Sequence, residues 1–300
     1  MIHSPSDTTL AWAVDVLCPS GQLTEVRDLH EGVGPWLVQC TESSESSQCF
    51  GILRVAGADG QGKDGTYVRT EAAALRTAER FEISSPRLLG LDAEGHQAGR
   101  VASVQSVLAG EPIAGGAYST LRLRSLGARL ARVHGVGIES STALPTRKWA
   151  MDPGVGFLYE RRRYAGSPRW AAGERLLRQA DDTLARIPRP RDRAGLVHGD
   201  AWLGNAMAVD EECTGLFDWG CAGVGHPGVD LGYTRLSAVL TYGMDAADEI
   251  LAGWESENGE PLGSLAYWDV VAALTTPPDI GTPTDRRDAF LLRALEALQL

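Results

Sequence analysis

The pattern of apolar and polar positions divides the chain into a strand-rich beginning and a helical remainder. Strands are predicted at Leu23 to Leu29, Trp36 to Cys40, Phe50 to Val55 and Gly99 to Leu108. Between the third and fourth lies VRTEAAALRTAERF, whose alanine, leucine, glutamate and arginine content favours a helix over Arg69 to Phe81. Past the Gly/Pro-rich AGEPIAGGA, Leu123, Leu126, Leu130 and Val133 recur at spacings of three and four and make one apolar helical face. Further helices are expected near 173–187, 228–240, 245–256, 263–274 and 285–299, with Pro277-Pro278 separating the last two. The shift predicts an α+β chain in two lobes, residues 1–108 with strands and one helix and residues 109–300 mainly helical, joined through AGEPIAGGA.

Composition narrows the classes of function. With 300 residues, 43% hydrophobic and 22% charged, the chain is long enough to bury one large core or two smaller ones. No run approaches the roughly 20 apolar residues that span a bilayer. The start, MIHSPSDTTLAWAVDVL, is acidic where a signal peptide is basic, so a cytoplasmic protein with no membrane partner is expected. Cys18, Cys40, Cys49, Cys213 and Cys221 are scattered without a C-x-x-C pair and read as ordinary thiols. A net charge of −11 argues against a nucleic-acid partner. The basic runs Arg161-Arg162-Arg163 and Arg189 to Arg193 read as solvated surface. The surplus acid would attract cationic small molecules, although it also serves solubility alone.

The chemistry concentrates between residues 195 and 231. In GLVHGDAWLGNAMAVDEECTGLFDWG, three short apolar strands are predicted: LV before His198, AMAV after Asn205 and GLF before Asp218. Strand ends are where rigid scaffolds present reactive groups. Asp200 and Asn205 share one loop and Asp218 lies on the next hairpin, so two carboxylates and an amide can converge. Phosphoryl transfer needs this set: one carboxylate to accept the proton of an attacking hydroxyl, and hard oxygen ligands to hold Mg²⁺ against nucleotide phosphates. Asp200 suits the first task, Asn205 and Asp218 the second.

H-G-D-x-x-x-x-N followed by F-D-W resembles the catalytic and metal-binding loops of aminoglycoside phosphotransferases and the related choline and macrolide kinases. At ordinary residue frequencies, a chance match anywhere in the chain has odds below about 10⁻³. The resemblance implies a two-lobed protein-kinase-like fold, with a small antiparallel sheet and one helix in the N-lobe and a larger helical C-lobe. It implies ATP or GTP as donor, Mg²⁺, a small hydroxylated acceptor such as an amino-sugar, and antibiotic resistance among the roles of such enzymes. Asp230, in G-H-P-G-V-D-L, is similar to a structural residue that hydrogen-bonds the catalytic-loop backbone, and His198 is assigned to packing and loop support.

The same resemblance asks the N-lobe for a cation on the third strand and a carboxylate on the following helix. Arg54 in FGILRV and Glu71 in RTEAAAL meet it, and arginine can fork two phosphate oxygens where lysine is the commoner choice. Glu79 is the competing partner, otherwise a solvated helix position. Gly32 and Gly34 sit in the phosphate-covering hairpin, but Glu31-Gly32-Val33-Gly34 is no G-x-G-x-x-G. Adenine is expected against backbone groups at Gln105 to Leu108, with Gln105 and Val107 as its contacts. GADGQGKD, Gly57 to Asp64, imitates a P-loop but ends in aspartate where magnesium needs a hydroxyl, and reads as a solvated loop.

Acceptor contacts are sought at Asp152, Glu160, Trp268, Asp269 and Asp279, where each carboxylate could equally be a helix cap or a surface charge. Gly199 replaces the arginine that couples a protein kinase loop to activation-segment phosphorylation. Two other classes stay open. A metal-dependent phosphohydrolase would use His198, Asp200, Asp218 and His226, leaving Asn205, Arg54 and Glu71 unexplained. A nucleotide-binding pseudokinase or regulatory module would keep the site without turnover.

Overall fold

The computed structural model describes residues 4–30, 34–42, 48–57, 65–147, 168–191, 193–276 and 283–298. They separate into two units. The first takes the chain up to Ala109 with Thr142–Leu144 and Gly215–Ala222; the second takes Gly110–Ser141, Pro145–Thr214 and the chain from Gly223 onward.

In the first unit, β1 (Gln22–Asp28), β2 (Trp36–Thr41), β3 (Gln48–Val55), β4 (Leu88–Asp92) and β5 (Ala102–Gln105) form an antiparallel sheet in the order β1-β2-β3-β5-β4. Along β2, Trp36, Val38 and Cys40 are buried and alternate with half-buried positions, as in a sheet covered on one face. Part of that cover is α1 (Asp7–Leu17), whose first turn is capped by Ser6 Oγ accepting the Thr9 N–H at 3.2 Å. Two glycines let α1 approach the sheet: a Cβ on Gly51 would stand 2.6 Å from Leu17, and one on Gly90 2.7 Å from Val16. Trp12, Ala13, Trp36, Val38, Leu53 and Val104 fill the space between. The second helix, α2 (Thr66–Arg80), buries Val68, Glu71, Ala72 and Leu75.

Three expectations are corrected in this unit. Among the described residues it holds two helices where one was predicted, because the run from Leu10 to Leu17 is apolar on almost every face and shows no helical period. Leu88–Asp92 is an unexpected strand. The strand predicted at Gly99 to Leu108 shrinks to Ala102–Gln105 because the preceding turn is tightly wound. There the Asp92 carboxylate accepts from the N–H groups of Gly95, His96, Gln97 and Ala98 at 2.7–3.1 Å, and Gly99 adopts φ +77°.

The second unit contains α3 (Thr120–His134), α4 (Pro168–Leu184), α5 (Gly228–Tyr242), α6 (Met244–Asn258), α7 (Leu265–Thr275) and α8 (Thr284–Ala297). On α3 the predicted stripe Leu123, Leu126, Leu130 and Val133 is buried. The backbones of α3 and α6 meet closely: a Cβ on Gly127 would lie 2.1 Å from the Ile250 carbonyl oxygen, and one on Gly253 2.0 Å from that of Arg124. Among the described residues, two small sheets accompany the helices. In one, β6 (Glu111–Pro112) pairs with β8 (Ala206–Val209), which neighbours β9 (Glu212–Leu216); in the other, β7 (Gly195–Val197) pairs with β10 (Gly223–Gly225).

AGEPIAGGA is therefore part of a folded unit. Glu111 and Pro112 pair with β8, and the Tyr242 hydroxyl donates to the carbonyls of Ile113 at 2.6 Å and Gly116 at 2.9 Å. Among the described residues, no helix is long and apolar enough to cross a membrane. All five cysteines are free thiols, with Cys18, Cys40 and Cys213 buried and the other two partly so.

Candidate active site

β7 ends at Val197, and the H-G-D turn begins at once. His198 is fully buried, and Gly199 follows at φ +81°, a left-handed conformation that disfavours side chains. The turn is held from below by Asp230 in the first turn of α5. One Asp230 oxygen, Oδ2, accepts the His198 N–H at 2.7 Å; the other, Oδ1, accepts the Gly199 N–H at 2.8 Å. A third donor is His134 at the end of α3. Its Nδ1 accepts the Trp254 indole N–H at 2.9 Å, so its Nε2 carries the proton and donates to Asp230 Oδ2 at 3.0 Å. Burial works to raise the Asp230 carboxyl, but the His134 side-chain hydrogen bond and the His198 backbone N–H outweigh it and hold the group below the usual carboxylate range.

Above this support, the Asp200 N–H donates to His198 Nδ1 at 3.3 Å. The loop then folds back on itself. Asn205 donates its side-chain amide twice, to the Asp200 carbonyl at 2.9 Å and to Asp200 Oδ2 at 3.1 Å. Two donated bonds fix the orientation of the amide, so the Asn205 carbonyl oxygen is the atom presented as a ligand. A short helical turn, Leu203–Asn205, precedes β8 and buries Asn205 to 5% exposure.

Asp218 lies in the first unit. β9 ends at Leu216, so Phe217 falls outside the strand predicted through it, and Asp218 takes φ +69°, a region aspartate tolerates better than most residues. Arg54 on β3 bridges two carboxylates: its Nε is 2.9 Å from Glu71 Oε2 and its Nη2 is 2.9 Å from Asp218 Oδ1. Glu71 is completely buried on α2. Its burial pushes the carboxyl up, while the Arg54 guanidinium draws it down. Glu79, the competing partner, instead faces solvent and meets Arg87 at 3.4 Å.

Tyr67, in the first turn of α2, donates its hydroxyl to Asp218 Oδ1. Burial, reinforced by the Asp218 charge, raises this phenol far above its ordinary value, so it stays protonated and is the donor.

The remaining positions divide by location. Gln105 ends β5 almost fully buried, whereas Val107 is 48% exposed. Gly34 has φ +75° and gives its N–H to Asp28 Oδ1 at 3.1 Å. Gly32, Asp152, Glu160 and Asp279 lie outside the described residues, as does the P-loop-like run after Gly57.

Trp268 and Asp269 are corrected as acceptor contacts. Both are core residues of α7, at 2% and 4% exposure. Asp269 meets the Arg235 guanidinium with both oxygens at 3.1 Å, and Trp268 stacks on His226 with ring centroids 5.0 Å apart. An apolar helix such as α7 reads from its pattern as an exposed aromatic beside an acid, while the buried arginine that neutralises the acid is remote in sequence. His226 is similarly occupied, accepting the Gly228 N–H at 3.0 Å and meeting Ser264 Oγ at 3.3 Å. Among the described residues, no three metal-binding side chains cluster as a hydrolase site requires.

Sequence reasoning missed Tyr67 and His134. Tyr67 precedes Glu71 by four residues and so shares its helix face, a spacing that could have identified it. His134 follows the last residue of the apolar stripe and has no local motif linking it to Asp230.

A sheet-bearing unit with a buried Arg-Glu pair and a mainly helical unit with an H-G-D-x-x-x-x-N turn define the class: a small-molecule kinase with a protein-kinase-like fold. The family model for the phosphotransferase enzyme family matches residues 62–274, more than half of the chain, and the chain belongs to that family.

Solved structures share the fold. An AMP-bound spectinomycin phosphotransferase aligns with a TM-score of 0.64 at 13% identity, over 97% of this chain and 93% of its own. A macrolide 2′-phosphotransferase from Brachybacterium faecium aligns at 0.56 and 16% identity, over 97% and 98%. An amicoumacin kinase in complex with AMP-PNP and Ca²⁺ aligns at 0.58 and 15%, over 98% and 93%. No curated protein matches the chain.

Proposed function

We propose that the protein transfers the γ-phosphate of ATP or GTP to a hydroxyl of a small cationic alcohol, with Asp200 as the base. The observation that carries this reading is the double hydrogen bond from Asn205 to Asp200, which fixes a carboxylate and an amide oxygen on one loop. Asp200 would accept the proton of the attacking hydroxyl as its oxygen bonds the γ-phosphorus and the bond from that phosphorus to the β,γ-bridging oxygen breaks, releasing ADP or GDP. Its orientation is inherited from the turn that Asp230 and His198 hold. Arg54, kept charged between Glu71 and Asp218, would neutralise phosphate oxygens of the donor nucleotide, whose adenine or guanine would rest on the backbone near Gln105 and Val107.

Each donor is of a kind that Mg²⁺ takes. Asn205 offers a neutral carbonyl oxygen and Asp218 a carboxylate that is one quarter exposed, both hard ligands. When held by Asn205 and Asp218, the ion would supply positive charge to offset the negative charge of the transferring phosphate. The acceptor class rests on the net charge of −11 and on relatives of the same fold, among them one solved with GDP and kanamycin. A cytoplasmic location and a role in antibiotic resistance belong to the same proposal.

A turnover screen with ATP and GTP over aminoglycosides, macrolides, amino-sugars and amino-alcohols tests it. One or more acceptors should stimulate nucleotide consumption and gain a phosphate. Nucleotide binding without turnover of any acceptor would favour the pseudokinase.

A further inference from the structure

The Tyr67 hydroxyl, in the first turn of α2, is aimed at Asp218. Its donation falls on Oδ1, the same oxygen that Arg54 Nη2 approaches at 2.9 Å. The ring is built into that position. A Cβ on Gly220, two residues after Asp218, would stand 2.0 Å from Tyr67 Cζ, so the phenol lies directly on the Gly220 backbone. The Arg54 guanidinium sits 5.9 Å from the ring centroid. Tyr67, Arg54, Asp218 and Gly220 therefore form one packed group within the first unit.

We infer that Tyr67 is a positioning residue that makes Asp218 a one-oxygen ligand and thereby sets the preference of the site for Mg²⁺ over Ca²⁺. The inference rests on the reading of Asp218 as a metal ligand. With two donors on Oδ1, the oxygen presented to a cation is Oδ2. Mg²⁺ requires near-octahedral geometry with short single-oxygen contacts, and a clamped carboxylate supplies one. Ca²⁺ accepts six to eight oxygens and readily takes both atoms of a carboxylate, which the clamp forbids. Removing the phenol leaves Arg54 alone on Oδ1. The carboxylate can then rotate, to the detriment of Mg²⁺ and not of Ca²⁺. Groups that orient metal ligands from behind are typically worth about 10- to 100-fold in metal affinity.

The test is binding of a fluorescent ATP analogue, titrated separately with Mg²⁺ and Ca²⁺, to the full chain and its Tyr67→Phe, Gly220→Ala and Asp218→Asn variants. Tyr67→Phe keeps the ring on Gly220. It should weaken the Mg²⁺-dependent binding by about tenfold and the Ca²⁺-dependent binding by less than about threefold. Gly220→Ala retains the hydroxyl but displaces the ring, and should shift the Mg²⁺/Ca²⁺ ratio in the same direction. Equal losses for both ions, or none, in Tyr67→Phe would overturn the inference while Asp218→Asn still abolishes metal-dependent binding. Metal dependence that survives Asp218→Asn would overturn the underlying reading and this inference with it.

Discussion

Asp230 shows how much of the site depends on one buried carboxylate. It accepts from His198 N, Gly199 N and His134 Nε2, and each donor is buried away from water. Asp230→Ala would strand all three, at a cost on the order of 3 kcal/mol in unfolding free energy. Chemical denaturation at neutral pH measures it.

The pH dependence has a definite sign. The carboxyl is held below its unfolded value, so its contribution is complete above the unfolded pKa of about 4 and is lost as pH falls through the lower folded value. The stability difference between wild type and Asp230→Asn should be constant from neutral pH down to about pH 5 and shrink below about pH 4. A difference that grows toward acid would contradict this assignment. The role of Asp230 was legible from G-H-P-G-V-D-L by resemblance, because its partners lie on a short motif. His134, on a distant helix, left no such mark.

At the scale of elements, close helix contacts replace large side chains with backbone. A Cβ at Gly127 would meet the Ile250 carbonyl oxygen at 2.1 Å and the Trp254 nitrogen at 2.8 Å, neither of which can move without breaking α6. Gly127→Ala should destabilise the protein by about 1–3 kcal/mol despite alanine's higher helix propensity, as an overpacked contact does. A thermal melt reads the loss, and an unchanged or raised Tm would show that α3 and α6 can separate freely.

Helix α3 itself was legible because its apolar positions recur every three or four residues along one face. Helix α1 was not, since an apolar run interrupted mainly by Asp15 carries no period. The strand β4 was hidden for a related reason: LLGLD is short, and its glycine looks like a turn although it makes room for Val16 of α1. Buried pairs such as Arg235 with Asp269 escape local reading altogether, as each member alone resembles a surface charge.

For the whole molecule, the chain path matters more than the order of elements. Residues 215–222 join the first unit although the segments on both sides belong to the second, and they bring Asp218 to Arg54 and Tyr67. A division of the sequence at one boundary assigns Asp218 by its position in the chain and does not foresee this return.

Ligand binding should then appear as global stabilisation. Mg²⁺ and ATP at about 100 times their dissociation constant would add roughly 2.7 kcal/mol. Asp218→Asn should remove the metal-dependent part, measured as the Mg²⁺-induced rise in Tm with nucleotide present. Asp200→Asn should keep it, because a base acts on the acceptor and is not the metal's principal support.

The most direct test of phosphoryl transfer through Asp200 is steady-state acceptor-dependent nucleotide turnover, compared between wild type and Asp200→Asn. The expected result is a fall in kcat of about 10²- to 10⁴-fold with the nucleotide KM nearly unchanged. An Asp200→Asn variant that phosphorylates the acceptor at the wild-type rate would contradict the assignment.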